Sequence, residues 1–177
     1  RCADVTGVQT CALPIYQMTK TLLEMSALRA VPCNDRIEIA HMVEEIFTDL
    51  APLAEKKGIS LVQEGDGIIT GSDTLIYRLL FNLMENAIRY NRPNGTVCIS
   101  TSEGEKALVI RIADTGCGIP EAHWRSIFQP FFRVDKSRSR EYGGVGLGLS
   151  LVWEIASLHG GGLFGLSESG SIVGIAT

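Results

Sequence analysis

The sequence lacks an excess of basic residues, a long apolar run and a leader-like N-terminus. Its 177 residues carry 16 Lys and Arg against 20 Asp and Glu, a formal net charge of −4 at pH 7. This balance gives no basic footprint for nucleic acid. No apolar run reaches the roughly 18 residues that a membrane-spanning helix needs, and no apolar core of a signal peptide is visible. We therefore expect no nucleic-acid partner and no membrane segment in this chain.

Cysteine and histidine are too scattered to predict a disulfide framework or a metal cluster. The five cysteines are an odd number without a repeating spacing, which favours reduced thiols and a cytoplasmic setting. Cys98 and Cys117 lie in apolar segments and are interpreted as core or loop residues, with nucleophilic chemistry as the less favoured alternative. His159 is predicted to cap a helix end. His41 and His123 are predicted to lie at the surface.

The chain is long enough for one domain with a hydrophobic core, preceded by a short appendage. Residues 5–15, VTGVQTCALPI, resemble the in-frame translation of a sequencing adapter. We therefore interpret residues 1–15 as foreign, and an ordinary N-terminal tail is the alternative. Apolar spacing predicts a helix over 16–29, and Pro32 lies in the linker that ends it.

Hydrophobic periodicity predicts an α+β domain, with one mixed, mostly antiparallel sheet and helices packed on a single face. Helices are predicted over 41–58 with Pro52 as an interior breaker, over 74–90 after a cap at Ser72 or Asp73, near 121–127, and over 147–160. Strands are predicted over 36–40, 59–64, 65–71, 96–103, 106–116, 163–168 and 171–176. The fourth and fifth strands are expected to form a hairpin through EGEK, and the last two to form a hairpin around Ser169 and Gly170.

The predicted helix over 74–90 has polar residues between its apolar ones. Its apolar stripe consists of Leu75, Ile76, Leu79, Leu80, Leu83, Met84 and Ala87. Between them lie Asn82, Glu85, Asn86 and Arg89. Asparagine is a mediocre helix former and is costly to bury without a partner. These side chains therefore either pair locally or face a polar group that is not part of the chain.

Two glycine motifs have the residues of ligand-binding loops. In DTGCGIP, 114–120, an acidic residue ends an apolar strand and the glycines permit a sharp turn and a close ligand. This carboxylate can accept a hydrogen bond from an exocyclic amine such as that of adenine, and a plain Asp-Gly turn is the alternative. GGVGLGLS, 143–150, leads into a helix whose N-terminus favours anions. A flexible hinge is its alternative, and it is neither a Walker A loop nor a Rossmann fingerprint.

The segment between these motifs combines aromatic and basic residues. Phe128, Phe131 and Phe132 are predicted to pack the base of a mobile flap. Cations follow at Arg133, Lys136, Arg138 and Arg140. A solvated surface run is the alternative for these charges.

Taken in order, the motifs resemble the ATP-binding catalytic domain of sensor histidine kinases, of the GHKL or Bergerat-fold ATPase superfamily. Residues 82–90 are similar to its N box, 114–118 to its G1 box, 128–132 to its F box and 144–148 to its G2 box. The resemblance covers 16–177 and is strongest over 71–152. It implies a two-layer α/β sandwich with ATP and Mg²⁺ as cofactors.

The resemblance also implies roles for individual residues. Asn86 would bind Mg²⁺ through its side-chain oxygen, with Asn82 one turn earlier on the same face. Asp114 would bind the adenine amine. Arg138 would reach the γ-phosphate, and Glu85 is a weaker candidate for an acid/base. The remaining residues that it assigns to the nucleotide pocket are Arg89, Tyr90, Gly116, Gly118, Ile119, Phe131, Arg133, Gly144, Val145, Gly146, Leu147, Gly148 and Leu149.

The resemblance finally implies a reaction and its partners. DNA gyrase, mismatch-repair and chaperone ATPases have a water-activating glutamate at the position of Asn82, so phosphoryl transfer is favoured over hydrolysis. The implied acceptor is a histidine on a two-helix dimerisation domain, from which phosphate passes to an aspartate of a response regulator. Residues 16–33 resemble only the tail of the second dimerisation helix plus a linker, and 34–177 the catalytic domain.

This chain alone is therefore expected to bind ATP without phosphorylating itself, as a monomer or with weak self-association. We expect it to be the cytoplasmic domain of a bacterial kinase, compatible with an inner-membrane anchor in the full-length protein. Two alternatives stay open. One is a non-catalytic nucleotide-binding or dimerisation module, and the other is an anti-sigma-type serine kinase of the same fold, which the predicted helix over 16–29 disfavours.

Overall fold

The computed structural model describes residues 28–104, 107–134, 146–164 and 172–176. The helices of this part of the chain are α1 (Ile39–Lys57), α2 (Asp73–Arg89) and α3 (Gly148–Leu158). Its strands are β1 (Asp35–Glu38), β2 (Ser60–Glu64), β3 (Ile68–Gly71), β4 (Thr96–Glu103), β5 (Leu108–Asp114), β6 (Gly162–Phe164) and β7 (Ile172–Ala176). Short 3₁₀ turns span Leu28–Ala30 and Glu121–His123. Residues 1–15 and all but the end of the helix predicted over 16–29 lie outside the described residues.

The main sheet has five strands in the order β2-β4-β5-β7-β6. β2 runs parallel to β4, and the other neighbours are antiparallel. The predicted mixed, mostly antiparallel sheet is therefore confirmed. β1 and β3 instead pair with each other in a separate two-stranded sheet, so the prediction of a single sheet was wrong. Each of these short strands leads into a helix. Because the strands are antiparallel, with Glu38 opposite Ile68 and Asp35 opposite Gly71, the starts of α1 and α2 lie at opposite ends of this small sheet.

The core lies between one face of the five-stranded sheet and the helices. Along β4 and β5, buried Val97, Ile99, Ile110 and Ile112 alternate with more exposed residues. Every member of the apolar stripe predicted for α2 is buried, and Ile88 extends it. Fully burying one such side chain contributes about 1.5–3 kcal/mol. The sheet therefore holds α2 by one face, which leaves its half-buried asparagines on the flank.

Three local predictions were wrong at the ends or in the interior of elements. The first strand was predicted to reach residue 40, but β1 ends at Glu38 because α1 begins at Ile39. Pro52 neither ends nor breaks α1, which continues to Lys57 and stops at Gly58 with φ of 66°. Buried Leu50 and Ala54 on either side of the exposed Pro52 hold that turn of the helix against the core. The helix predicted near 121–127 is a single 3₁₀ turn followed by irregular turns.

His159 connects the end of α3 to the start of α2. Ser72 is the N-cap residue of α2 but makes no side-chain cap. Instead its backbone N–H donates to His159 Nε2 at 3.0 Å, and the N–H of Asp73 donates to the Asp35 carboxylate at 3.1 Å. His159 Nδ1 lies 2.8 Å from the Ile155 carbonyl oxygen. Because Nε2 accepts a hydrogen bond, the ring proton is on Nδ1, which donates to Ile155. His159 therefore caps the C-terminus of its own helix α3, as predicted, and also the N-terminus of α2.

His159→Ala is expected to lower the free energy of unfolding by about 1–3 kcal/mol, because the N–H of buried Ser72 loses its acceptor. His41→Ala is the matched control, since the His41 side chain is 73 % exposed and lies beside Glu45 at the surface. That change should stay within about 0.5 kcal/mol. Urea denaturation of both variants measures the difference, and equal effects would contradict this role of His159.

Tyr77 on α2 should give the protein a pH-dependent stability in the alkaline range. Its hydroxyl donates to Asp49 on α1, and its ring stacks on Phe81 with centroids 6.0 Å apart. Burial, with Asp49 and then Glu45 adding to it, raises the pKa of Tyr77 from 10.0 to about 12. The folded protein therefore keeps this proton longer than the unfolded chain does. Stability from Tyr77 is present below the unfolded pKa and is lost as pH rises through the folded pKa.

Spectroscopic titration of tyrosine ionisation, beside Tyr77→Phe, checks this expectation. One of the four tyrosines should ionise late in the folded protein, and the late step should disappear in the variant. An unchanged titration curve in Tyr77→Phe would contradict the assignment.

Candidate functional site

The glycine motifs meet the polar flank of α2 at two places. Gly148 is the first residue of α3, and a Cβ there would lie 3.1 Å from Asn82 Oδ1 and 3.9 Å from Asn86 Nδ2. A Cβ on Gly116 would lie 2.5 Å from the backbone oxygen of Tyr90. Segments that are far apart in sequence therefore converge along a single helix, and glycine lets both come close.

Asn82 and Asn86 occupy the middle of this flank and are both half-buried. Asn82 Nδ2 donates to the Arg78 carbonyl oxygen at 2.7 Å, which leaves Oδ1 on the side of Gly148. In the described part of the chain, no residue hydrogen-bonds to the Asn86 side chain. A half-buried amide that no described residue hydrogen-bonds, beside a helix N-terminus, provides a polar position for a ligand.

Glu85 and Arg89 form an ion pair on the same helix. Arg89 Nη2 donates to Glu85 Oε1 at 2.8 Å, and the side chains are 29 % and 31 % exposed for Glu85 and Arg89. Exposed helical pairs at this spacing contribute about 0.3–0.5 kcal/mol, and this pair is partly buried. Tyr90 follows at the end of α2 with 48 % exposure.

Asp114 ends β5, as the sequence predicts, and its loop folds back on it. Asp114 Oδ1 accepts the Gly116 N–H at 2.7 Å. A side chain at Gly116 would collide with Tyr90, Asp114 and Asn91, and Gly118 has a φ of +65°. The loop thus needs glycine at both positions. Half-buried Ile119 closes it, and its carbonyl oxygen accepts the Trp124 indole N–H at 2.7 Å.

The phenylalanine segment is connected to the second glycine motif through its backbone. The N–H of Phe131 donates to the Gly146 carbonyl oxygen at 2.8 Å, and Gly146 has a φ of +80°. Phe128 packs on Trp153 and Phe132 on His123, while Phe131 stays 46 % exposed. The prediction that His123 is a surface residue is only partly met, because it is half-buried by that ring.

The remaining predicted site residues divide between described and undescribed segments. Leu147 is buried, and Leu149 and Arg133 are half-buried near the start of α3 and the phenylalanine segment. Arg138, Gly144 and Val145 lie outside the described residues, as do Lys136 and Arg140.

Sequence reasoning missed three side chains that hold this arrangement in place. Lys57 Nζ donates to the carbonyl oxygens of Ile88 and Arg89, at 3.3 Å for Ile88, at the C-terminus of α2. Asn91 and Thr115 hydrogen-bond to each other just below the Asp114 loop. A basic residue in the last turn of a helix normally predicts a cap of that same helix. The sequence carried no signal that Lys57 caps a different one.

In the described part of the chain, the cysteines and acidic residues form no alternative reactive site. Burial raises the pKa of the Cys98 thiol, so it is protonated at neutral pH. Cys117 is an exposed loop residue, in agreement with its interpretation. Among the residues with described positions, no group of three or more His, Cys, Asp or Glu could hold a metal ion. No helix in that same part of the chain is long and apolar enough to cross a membrane.

A separate concavity is lined by Glu121, Ala122, Trp124 and Arg125. It lies on the irregular segment between Asp114 and the phenylalanines. Neither asparagine of α2 lines it, and neither does the N-terminus of α3. We therefore assign the candidate site to the flank of α2 rather than to this surface.

Comparison with known proteins gives the family. Residues 71–175 match the model of the histidine kinase-, DNA gyrase B-, and HSP90-like ATPase family. The chain is 37% identical over 125 residues to the sensor histidine kinase RppB of Synechocystis, covering 71% of this chain and 27% of RppB. It is 34% identical over 163 residues to the sensor-like histidine kinase SenX3 of Mycolicibacterium smegmatis, covering 89% of this chain and 42% of SenX3. The chain thus spans less than half the length of these two relatives.

The fold is also that of solved histidine kinases. The structure resembles the Acinetobacter baumannii histidine kinase AdeS with a TM-score of 0.76 at 20% identity, covering 99% of this chain and 85% of that one. It resembles the catalytic domain of the histidine kinase ThkA with a TM-score of 0.68 at 24% identity, covering 80% and 94%. The resemblance of the sequence motifs, the fold and the family match agree: the chain belongs to the histidine kinase-, DNA gyrase B-, and HSP90-like ATPase family, as an ATP-binding catalytic domain of the histidine kinase type.

Proposed function

We propose that this chain binds Mg-ATP along the flank of α2 and that its full-length protein transfers the γ-phosphate to a histidine. The observation that carries the proposal is the convergence of both glycine motifs on the polar residues of that helix. Gly148 lies against Asn82, and Gly116 lies against Tyr90. One ligand that contacts both motifs has to be elongated and polar at one end, which suits a nucleoside triphosphate.

The adenine end of this ligand belongs at Asp114. Its carboxylate is half-buried, and Oδ1 is oriented by the Gly116 N–H. A carboxylate accepts several hydrogen bonds, so Asp114 can bind the exocyclic amine while it keeps this internal contact. Gly116 and Gly118 let the base approach the backbone, and Ile119 supplies apolar surface.

The phosphate end belongs at Asn82, Asn86 and the N-terminus of α3. The gap that a Cβ on Gly148 would fill lies beside both amides, so the residues fit a metal–phosphate group. Mg²⁺ prefers oxygen ligands and retains waters, and when bound it neutralises phosphate charge; Asn86 would hold it. Residues proposed to line the phosphates are Arg89, Tyr90, Phe131, Arg133, Gly144, Val145, Gly146, Leu147, Gly148 and Leu149, with Arg138 at the γ-phosphate.

The residues on α2 favour transfer over hydrolysis. Asn82 donates to the Arg78 carbonyl oxygen, and an amide cannot take a proton from water. Glu85 is paired with Arg89, and it becomes available as an acid/base only when Arg89 moves to a phosphate. In-line phosphoryl transfer depends mainly on positioning and charge neutralisation. The helix therefore positions ATP for an external acceptor.

The acceptor histidine is proposed to lie on a dimerisation domain, with a response regulator receiving the phosphate. His159 and His123 are engaged in contacts with Ser72 and Phe132, and His41 faces Glu45. We propose that residues 16–33 are the tail of the second dimerisation helix plus a linker, that 34–177 form the ATP-binding domain and that 1–15 are foreign. Because ATP is the substrate, we place the domain in the cytoplasm, as part of a bacterial kinase.

Calorimetric titration with ADP, with and without Mg²⁺, separates the two ends of the site. Asp114→Asn should weaken binding about tenfold or more in both conditions, because a charge-assisted hydrogen bond to the amine is lost. Asn86→Ala should lower the ADP affinity measured with Mg²⁺ and leave the affinity measured without Mg²⁺ unchanged. Thr74→Ala, on the exposed side of the first turn of α2, is the control and should leave both unchanged. Equal affinity in all variants would sink the proposed function.

Gly116→Ala tests the close approach between the Asp114 loop and α2. The added methyl group would lie 2.5 Å from a backbone oxygen that cannot move independently. We expect loss of ADP binding and a lower melting temperature. Gly162→Ala is the matched control, because nothing lies within 4 Å of a Cβ there. Retained ADP affinity in Gly116→Ala would show that the loop adopts another conformation.

A further inference from the structure

Asn91 is one of few polar side chains in the described core. It lies two residues after the end of α2 and is 7 % exposed. Its neighbour in space, Thr115, directly follows Asp114. Thr115 Oγ1 donates to Asn91 Oδ1 at 3.0 Å, across 24 residues of sequence. These two side chains therefore connect the helix of the phosphate end to the strand of the adenine end.

The hydrogen bonds around this pair have a defined direction. Asn91 Nδ2 donates to the Thr96 carbonyl oxygen at 3.0 Å, so Oδ1 is the acceptor. Oδ1 also accepts the Arg92 N–H at 3.0 Å. The Thr115 hydroxyl donates to Oδ1 and in turn accepts the Thr96 N–H at 2.9 Å. The hydroxyl thus uses both of its hydrogen-bonding roles, which no apolar side chain of the same shape can reproduce.

The backbone packs closely around the pair. A Cβ on Gly95 would lie 2.3 Å from Asn91 Oδ1 and 2.6 Å from Thr115 Oγ1. The backbone N–H of Thr115 also donates to the Thr96 carbonyl oxygen, at 3.1 Å. On the other side of the loop, the N–H of Cys117 donates to the Tyr90 carbonyl oxygen at 3.4 Å. Asp114 is therefore fixed relative to the end of α2 from both directions.

We infer that Asn91 and Thr115 are a positioning pair that holds Asp114 in register with α2 and thereby sets the preference for adenine. The inference rests on the proposed function, because it assigns the exocyclic amine to Asp114. An amine-to-carboxylate hydrogen bond depends on distance and angle. A small shift of Asp114 therefore costs affinity for a base with that amine more than for a base without it.

The test compares ADP with inosine diphosphate, in which a carbonyl oxygen replaces the amine. Thr115→Val removes the hydroxyl and keeps the shape of the side chain. The preference for adenine is the dissociation constant of inosine diphosphate divided by that of ADP, both measured calorimetrically. We expect this ratio to fall about fivefold relative to the unchanged chain. Thr115→Ser retains the hydroxyl and should restore the ratio. Thr70→Val, at an exposed position on β3, is the matched control and should leave the ratio unchanged.

Should Thr115→Val fail to fold, Thr115→Ala serves instead, since Asn91 Oδ1 keeps the Arg92 N–H and Thr96 is only half-buried. Equal weakening of both nucleotides, with a lower melting temperature, would show a purely structural role and overturn the inference. An unchanged ratio in Thr115→Val would overturn it as well. If the unchanged chain binds ADP tightly and the Asp114→Asn variant keeps the same preference for ADP over inosine diphosphate, the adenine assignment and the inference both fail. If it binds neither nucleotide, the proposed function itself fails and takes the inference with it.

Discussion

The apolar stripe of α2 is the constraint on which the site depends. Eight of its side chains are buried against the sheet and the neighbouring helices, and each of the seven that are larger than Ala87 contributes about 1.5–3 kcal/mol. Rotating the helix about its axis would expose this stripe to water, so its orientation is fixed. Asn82, Glu85, Asn86 and Arg89 consequently lie along one flank. The core thus orients the polar residues without having to contact the ligand.

Close backbone approach is the second requirement of the site, and it explains why glycines recur at its edges. Gly148 lets the N-terminus of α3 lie beside the amides of α2, and Gly116 lets the Asp114 loop touch its last turn. A helix N-terminus attracts anions, and this one lies beside Asn82 Oδ1 and the Asn86 amide. At the C-terminus of α2, Lys57 donates to the carbonyl oxygens of Ile88 and Arg89. Neutralising those dipoles keeps the last turn helical, where Arg89 and Tyr90 must be placed.

Periodicity predicted the fold class and the buried face of α2, because a period of 3.6 or 2 residues encodes which face of an element is buried. That the Asp114 loop and α2 share one site was implied by the family resemblance of the motifs. Periodicity does not encode which partner an element meets. The separate pairing of β1 with β3, the contact of His159 with Ser72 across 87 residues and the pair of Asn91 with Thr115 are therefore invisible in one sequence. The predicted break at Pro52 was wrong for a related reason, since the packing of buried Leu50 and Ala54 overrides the helix-breaking preference of proline.

Mapping of backbone amide shifts by NMR during titration with Mg-ADP tests the central claim most directly. We predict that the backbone amide signals of Gly116, Asn86 and Gly148 shift with one common dissociation constant, and that the side-chain amide signals of Asn82 and Asn86 shift with them. Strand β2 and helix α1 should remain unchanged. Shifts confined to residues 121–125, or none at saturating nucleotide, would contradict a single nucleotide site along the flank of α2.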